Sequence, residues 1–471
     1  MPLAVLPALL LAGCAVGPNY VRPSVETPAS FKELRGWKPA QPQDQLPRGS
    51  WWAVYGDADL DALMARLNAA NQTIVQAAAQ YRTAQALVAS VRAGLFPAVT
   101  AAAAATRSHA STARSAASFG AGSAGTAAGG AVTVDSANLD ASWEIDLWGK
   151  LRRETENARE NFQASAADLG AVRLSVQAAL ASDYFQLRTA DEEIRVYAAN
   201  LAALRRSLRI VQNQFAVGVA GRADVAQAQT QLQSTAAAAA DLNIQRAQLE
   251  HAIAVLIGNA PADFSLPPAA FNVKAPNIPI EVPSALLQRR PDIAAAERRV
   301  AAANANIGVA EAAYFPALTL SGAFGYEGTS WRHLITIADN VWSVGPALAL
   351  SVFHAGARRA ATQQAIANYA AGVALYRQTV LSAFEEVEDD LVALHVLAGE
   401  RTLQDAATKA ADESAAITLN QYKSGFVSYL NVVVAQTTAL ANERASLNLR
   451  GRQLAASVAL IKALGGGWHP D

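Results

Sequence analysis

The chain reads as a mainly α protein carrying a small set of membrane-suited β-strands, built from an internal duplication. Three observations predict this. Two proline-free stretches, 150–217 and 357–424, are 68 residues each and rich in Ala, Gln, Arg and Glu, which suits single helices on the order of 100 Å long. LDASWEIDLWGK at 139–150 alternates apolar Leu139, Ala141, Trp143, Ile145 and Leu147 with polar Asp140, Ser142, Glu144 and Asp146, the period of a strand with two unlike faces. Finally, RAGLFPAVTAAAAA at 92–105 matches AEAAYFPALTLSGAF at 310–324, and QFAVGVAGRADVAQAQ at 214–229 matches QYKSGFVSYLNVVVAQ at 421–436, so two halves share one plan.

Composition narrows the functional class before any motif does. At 471 residues, 52% hydrophobic and a formal charge of -1, the chain can bury a large core and has no basic excess to attract nucleic acid. Cys14 is the one cysteine, which excludes an internal disulfide and a Cys-based zinc site. Residues 1–14, MPLAVLPALLLAGC, have the layout of a bacterial lipoprotein signal, with cleavage before Cys14 and acylation of that cysteine. No Lys or Arg precedes Cys14, which points to a start further upstream. An ordinary secretory segment with an incidental cysteine is the competing reading. Ala15 rather than Asp follows the cysteine, as in lipoproteins sorted to the outer membrane.

Along the chain, residues 1–13 form the signal peptide and 14–56 an N-terminal irregular segment with six prolines between 18 and 47. The first repeat is 57–260, a Pro-rich linker is 261–290, the second repeat is 291–464, and 465–471 is a tail. Each repeat reads helix, aromatic-Pro stop, strand, loop, strand, very long helix, glycine turn, helix. Asp57–Leu95, Ala223–Gly258, Pro291–Tyr314 and Ser428–Leu464 are the shorter helices. Stacked in pairs they match the length of a long helix, giving four staves per chain, two continuous and two spliced. Breaks at Gly170, Gly372 or Gly399 would instead turn the long helices into ordinary bundle helices.

Strands are expected at about 97–106, 131–148, 317–327 and 341–353, each near or above the roughly 10 residues a tilted strand needs to cross a bilayer. Ser, Ala and Gly dominate 107–130, the composition of an exposed loop. Four strands cannot close a barrel, and open sheet edges in lipid leave backbone groups unpaired. Three copies give 12 strands and 12 helical staves. On this reading the apolar face of 139–150 meets lipid, its acids face a water-filled lumen, and Trp148-Gly149-Lys150 hands over to the helix. A soluble sheet packed on helices is the alternative.

LAGCAVGPNYVRP at 11–23, WWAVYGDADLDALM at 51–64, WEIDLWGKLRR at 143–153, RRPDIAAAERRVAAANANIGVAEAAYFPALTLSG at 289–322 and YKSGFVSYLNVVVAQ at 422–436 together resemble the outer-membrane efflux protein (TolC) family, in particular its NodT-like lipoprotein branch serving resistance-nodulation-division pumps. The resemblance implies a homotrimer with a 12-stranded barrel, a long α-helical periplasmic tunnel and a mixed equatorial belt. It implies a passive exit duct for drugs or other small toxic compounds, fed by a periplasmic adaptor and an inner-membrane pump, with no cofactor beyond the lipid on Cys14. It places the glycine turns at the periplasmic tip, with Val217, Gly218, Gly221, Gly425 and Ser428 facing the adaptor. Arg222, Asp224 and Tyr422 become candidates for holding the aperture shut, and plain helix capping competes for each of these positions. Family members often carry Asp where this chain has Val434, which leaves no carboxylate ring at that level.

An enzyme has little to build on here, because the six histidines show no metal-ligand spacing and no Gly-rich phosphate loop exists. Glu385, Glu386, Glu388, Asp389 and Asp390 read as a solvated helix face. Metal efflux, type I protein export and a non-conducting envelope scaffold remain the alternative functions.

Overall fold

The computed structural model describes residues 15–33, 49–109, 131–271, 273–276, 278, 283 and 289–466. Its elements are α1 (Ala58–Ala70), α2 (Gln72–Ala93), β1 (Ala98–His109), β2 (Ala131–Ile145), α3 (Lys150–Ala216), α4 (Arg222–Leu256), α5 (Pro291–Ala312), β3 (Ala317–Gly328), β4 (Asn340–Ala349), α6 (Ala357–Lys423) and α7 (Tyr429–Ala463). The long helices α3 and α6 are 67 residues each and continuous. Gly170, Gly372 and Gly399 lie inside them without breaking them. At Gly372 an added Cβ would sit 3.7 Å from Val300, an ordinary contact.

The chain divides into two compact units: Met1–Pro23, Arg82–Gln163 and Arg298–Ala374 form the first, and Ser24–Tyr81, Ala164–Glu297 and Leu375–Asp471 the second. In the first, four antiparallel strands lie in the order β1-β2-β3-β4. Residues 107–109 of the expected loop belong to β1, and 110–130 lie outside the described residues.

Beside the sheet, residues 15–19 are pinned to the helices. Arg153, almost fully buried, donates to the Val16 and Gly17 carbonyls at 3.2 and 3.1 Å and to Asn19 Oδ1 at 3.0 Å. Gly308 allows the close approach, since a Cβ there would lie 2.8 Å from the Val16 carbonyl oxygen.

The second unit contains both splices. Asp57–Leu95 is two helices rather than one. Asn71 leaves helical geometry, accepts from Ile74 N at 3.0 Å, and donates to the Leu256 carbonyl at 2.8 Å. It thus joins the end of α4 to the start of α2. Likewise Arg290 donates to the Ala463 carbonyl at 3.2 Å, joining the end of α7 to the start of α5. Gly258 and Gly465 terminate α4 and α7 with φ of 75° and 91°, and a Cβ at either would lie 2.5 Å from a backbone oxygen, of Ala70 and Arg289 respectively.

The core of this unit is aromatic and leucine-rich around Trp51, Tyr55, Leu60, Met64, Leu67, Tyr184 and Phe185, all buried. Buried Arg188 binds Asp191, Asp59 and the Pro267 carbonyl, and Arg246 holds the other oxygen of Asp191 together with Glu250. The acidic run on α6 is less solvated than its composition suggests. Glu388 accepts the backbone N–H groups of Lys32 and Glu33 at 2.7 and 3.0 Å, and Glu386 accepts from Arg290 at 2.6 Å.

Candidate functional site

The sheet is the first candidate. Its register puts Ala101, Leu139, Phe324 and Trp342 in one row across β1, β2, β3 and β4, and Val99, paired with Ala141, on the same face two residues along. Because side chains alternate, one face collects Val99, Leu139, Trp143, Leu318, Leu320, Phe324, Trp342, Val344 and Leu348. The opposite face collects Thr100, Thr106, Ser142, Thr319, Ser321 and Ser343 with the carboxylates Asp140, Glu144 and Glu327. Trp342 and Val344 are about 70% exposed in the chain, an apolar surface that no described segment covers. The polar face is also lined with small residues, Ala102, Ala104, Ala323, Gly325, Gly345 and Ala347, as the inner side of a curved sheet requires.

Strand lengths of 12, 15, 12 and 10 residues meet the roughly 9–11 needed to span hydrocarbon at a tilt. Besides the extension of β1 to His109, the expected bounds of β2 and β4 change. β2 ends at Ile145 rather than 148, because Asp146 leaves the ladder to accept the Arg152 N–H at 2.9 Å and its guanidinium at 3.2 Å. β4 starts at Asn340 and ends at Ala349 rather than 353. Asp140 and Glu144 do share the polar face, and Asp146 does not.

The turn after β2 is built for reversal. Gly149 has φ of 82°, and Trp148 donates from Nε1 to the Pro316 carbonyl at 2.8 Å while stacking on Phe315 at 4.8 Å. Trp143 donates to the Leu95 carbonyl at 3.0 Å. The two aromatic-Pro stops of the repeat therefore act as acceptor platforms for these indoles.

The paired glycine turns are the second candidate. After α3, Gly218 (φ 77°) donates to the Phe215 carbonyl at 3.0 Å and Val219 to the Gln214 carbonyl at 2.8 Å. After α6, Gly425 (φ 79°) donates to Tyr422 at 3.0 Å and Phe426 to Gln421 at 2.9 Å. These are two copies of the same left-handed helix stop, 6→1 over 5→2. Val217, Val219 and Phe426 at these turns are 75%, 75% and 82% exposed. Behind them Val211, Ala228, Tyr422, Tyr429 and Val432 form one buried cluster, so the ends of α3, α4, α6 and α7 meet.

Asp224 accepts the Gly221 N–H at 3.1 Å, so it caps α4. Gly221 is the N-cap of α4 and Ser428 that of α7, without a side-chain cap bond. Arg222 is exposed at the first position of α4. Tyr422 packs edge-on to Tyr429, ring centroids 5.3 Å apart, and both hydroxyls are buried without a partner among the described residues. Burial, reinforced by the Asp224 charge, raises the Tyr422 phenol; burial, the Tyr422 phenol and Asp224 push Tyr429 up to about 12. Tyr429 escaped sequence reasoning, which weighed polar residues for the tip and missed an aromatic partner seven residues along. Cys14 lies outside the described residues.

Among the described residues no helix is long and apolar enough to cross a membrane. A sheet of bilayer-length strands with one apolar face, continued by helices of 67 residues, defines an outer-membrane channel subunit. The chain belongs to the outer membrane efflux protein family, whose model matches residues 63–259 and 282–466, one region per repeat.

It is 31% identical over 464 residues to the pyoverdine export outer membrane protein OpmQ of Pseudomonas aeruginosa, covering 98% of this chain and 96% of that one. It is 29% identical over 465 residues to the toluene efflux pump outer membrane protein TtgC of Pseudomonas putida, covering 98% and 94%. The solved outer-membrane channel OprN superimposes with a TM-score of 0.87 at 30% identity over 97% of this chain and 100% of that one. The chain is an outer-membrane efflux component extending into the periplasm, with a transport role.

Proposed function

We propose that three copies of this chain close a 12-stranded barrel and form the passive exit duct of a tripartite efflux system. One observation carries the reading: the outer edges of β1 and β4 have no partner among the described residues, while the sheet between them has an apolar face suited to lipid. In hydrocarbon each unpaired backbone group costs several kcal/mol, so β4 of one copy pairs with β1 of the next. A non-conducting scaffold would need no such face.

The duct receives cargo from a periplasmic adaptor and an inner-membrane pump of the resistance-nodulation-division type. Small organic compounds are the favoured cargo, in keeping with the pyoverdine and toluene named for two relatives. Residues 1–13 are removed as a signal and Cys14 carries the lipid; the pinning of residues 15–19 by Arg153 supports a fixed mature N-terminus. At the turns, Val217, Gly218, Gly221, Gly425 and Ser428 face the adaptor, and the exposed apolar Val217 and Phe426 suit such a contact. Arg222, Asp224 and Tyr422 hold the aperture, Asp224 through the cap and Tyr422 through the buried aromatic pair.

The native mass of the mature protein, extracted gently from outer membranes in detergent, tests this. Three chains per particle are expected. One chain per particle refutes the duct.

A further inference from the structure

Residues 327–339 connect β3 to β4 at the end of the sheet remote from the helices, since β3 follows α5 and β4 leads into α6. Gly328 fixes where this turn lies relative to the two faces. Counting along β3, it shares the parity of Leu318, Leu320 and Phe324, and therefore the apolar face. A Cβ built there meets Leu334 Cδ1 and Asp339 Cγ, each at 3.4 Å. The turn thus folds back over the apolar side of the sheet, away from the face that carries Asp140, Glu144 and Glu327.

The turn is held in that position and yet leaves its largest apolar groups bare. Leu334 is buried, the His333 N–H donates to the Ser330 carbonyl at 3.2 Å, the Thr336 N–H to the Leu334 carbonyl at 3.0 Å, and Thr336 Oγ1 to Asp339 Oδ2 at 2.7 Å. Ile335 and Ile337 are nonetheless 81% and 97% exposed, more than Trp342 or Val344 on the sheet itself, and Trp331 of the same turn is exposed too. Water gives no reason for an ordered turn to present two isoleucines and a tryptophan. Of the charged groups, Glu327 lies on the polar face and Asp339 is engaged by Thr336. Arg332 and His333 are exposed and make no ion pair among the described residues.

From this we propose that the β3–β4 turn is a foot in the outer leaflet: Trp331, Ile335 and Ile337 enter the boundary between headgroups and acyl chains, and Arg332 and His333 bind lipid phosphate. It rests on the closed duct proposed above, in which the apolar face meets lipid and this turn continues that surface outward. The occupant is therefore anionic, phosphate-bearing lipid. Such a boundary favours amphipathic rings, and its anionic headgroups attract basic side chains. A turn folded this way does not cap the mouth of the duct.

A bimane fluorophore on Ile335→Cys or Ile337→Cys reads this in trimers reconstituted into phosphatidylcholine vesicles with and without phosphatidylglycerol, the parent chain correcting for Cys14. Two quenchers are compared: a nitroxide carried on the lipid chain close to its headgroup, and acrylamide in the water. Val344→Cys, on the apolar face of the sheet, is the reference. Strong lipid quenching and weak acrylamide quenching are expected at both turn sites, as at the reference. Nitroxide on phosphatidylglycerol should quench the turn sites more than nitroxide on phosphatidylcholine. Arg332→Gln should weaken that preference about fivefold, the equivalent of about 1 kcal/mol for one basic residue at an anionic surface.

Acrylamide quenching without lipid quenching at both turn sites, with Val344→Cys still quenched by lipid, puts the turn in water and overturns this inference while leaving the duct intact. Shielding from both quenchers means that a neighbouring copy covers the isoleucines, and overturns it equally. Equal quenching by the two lipids overturns the phosphate assignment. If Val344→Cys itself is quenched by acrylamide and not by lipid, the apolar face does not meet lipid, and the duct and this inference fall together.

Discussion

Gly218 and Gly425 offer a clean test of how the turns are held. Both have φ near +78°, at 77° and 79°, and an added Cβ at either meets nothing within 4 Å. Alanine there costs only the left-handed backbone, about 1–2 kcal/mol, offset by roughly 0.4–1 kcal/mol from reduced unfolded-state freedom. The net loss is about 1 kcal/mol per site. Asn tolerates this conformation better than Ala, and Val worse. Guanidinium titration of the helical circular-dichroism signal in detergent should therefore rank Gly, Asn, Ala, Val in falling stability at both positions. Gly308 is the control: its φ is not left-handed, yet a Cβ would lie 2.8 Å from the Val16 carbonyl oxygen. There Asn should be no better than Ala. If Ala matches Gly at 218 and 425, or Asn fails to improve on Ala, the backbone argument is wrong.

Three further outcomes are expected. Cys14→Ser should weaken outer-membrane attachment, measured by fractionation, while trimers still form; complete loss of trimers would contradict a purely anchoring role. Asp224→Ala or Tyr422→Ala should loosen the turns and raise sensitivity to a large antibiotic such as vancomycin, and unchanged sensitivity removes them as latch residues. Asp390 is pushed up to about 7 by burial first, then by the Glu386 and Asp389 charges, against the opposing Lys462. Its raised value means the folded state keeps a proton that the unfolded chain releases above about 4. Stability from this group is therefore full below about pH 4 and lost as pH rises to about 7. The thermal unfolding midpoint should fall between about pH 4 and 7, and Asp390→Asn should flatten that fall; an unaltered slope refutes it.

Much of the architecture was legible from residues alone. The proline-free runs bounded α3 and α6 to within a residue, because helix interiors exclude proline and nothing else in 67 residues interrupts the backbone ladder. The glycines ending those runs are positions where only a left-handed residue closes the helix, so Gly218 and Gly425 marked the turns. The alternation in 139–145 assigned a face to every side chain, since a strand has period two. The match between repeats also carried through to the described geometry. Gly258 and Gly465, separated by the same interval as Gly218 and Gly425, cap α4 and α7 in the same way.

What sequence could not decide depends on partners distant in the chain. Asn71 breaks the helix expected over 57–95 because its amide satisfies the end of α4, 185 residues away. Glu388 and Glu386 looked solvated because the backbone of Lys32 and Glu33 and the guanidinium of Arg290 are invisible in a linear window. Asp146 looked like a strand residue until its hydrogen bond to the start of α3 removed it. Periodicity reports a residue's own face. Only tertiary structure supplies the group across from it, and hydrogen bonds and ion pairs are decided by that second group.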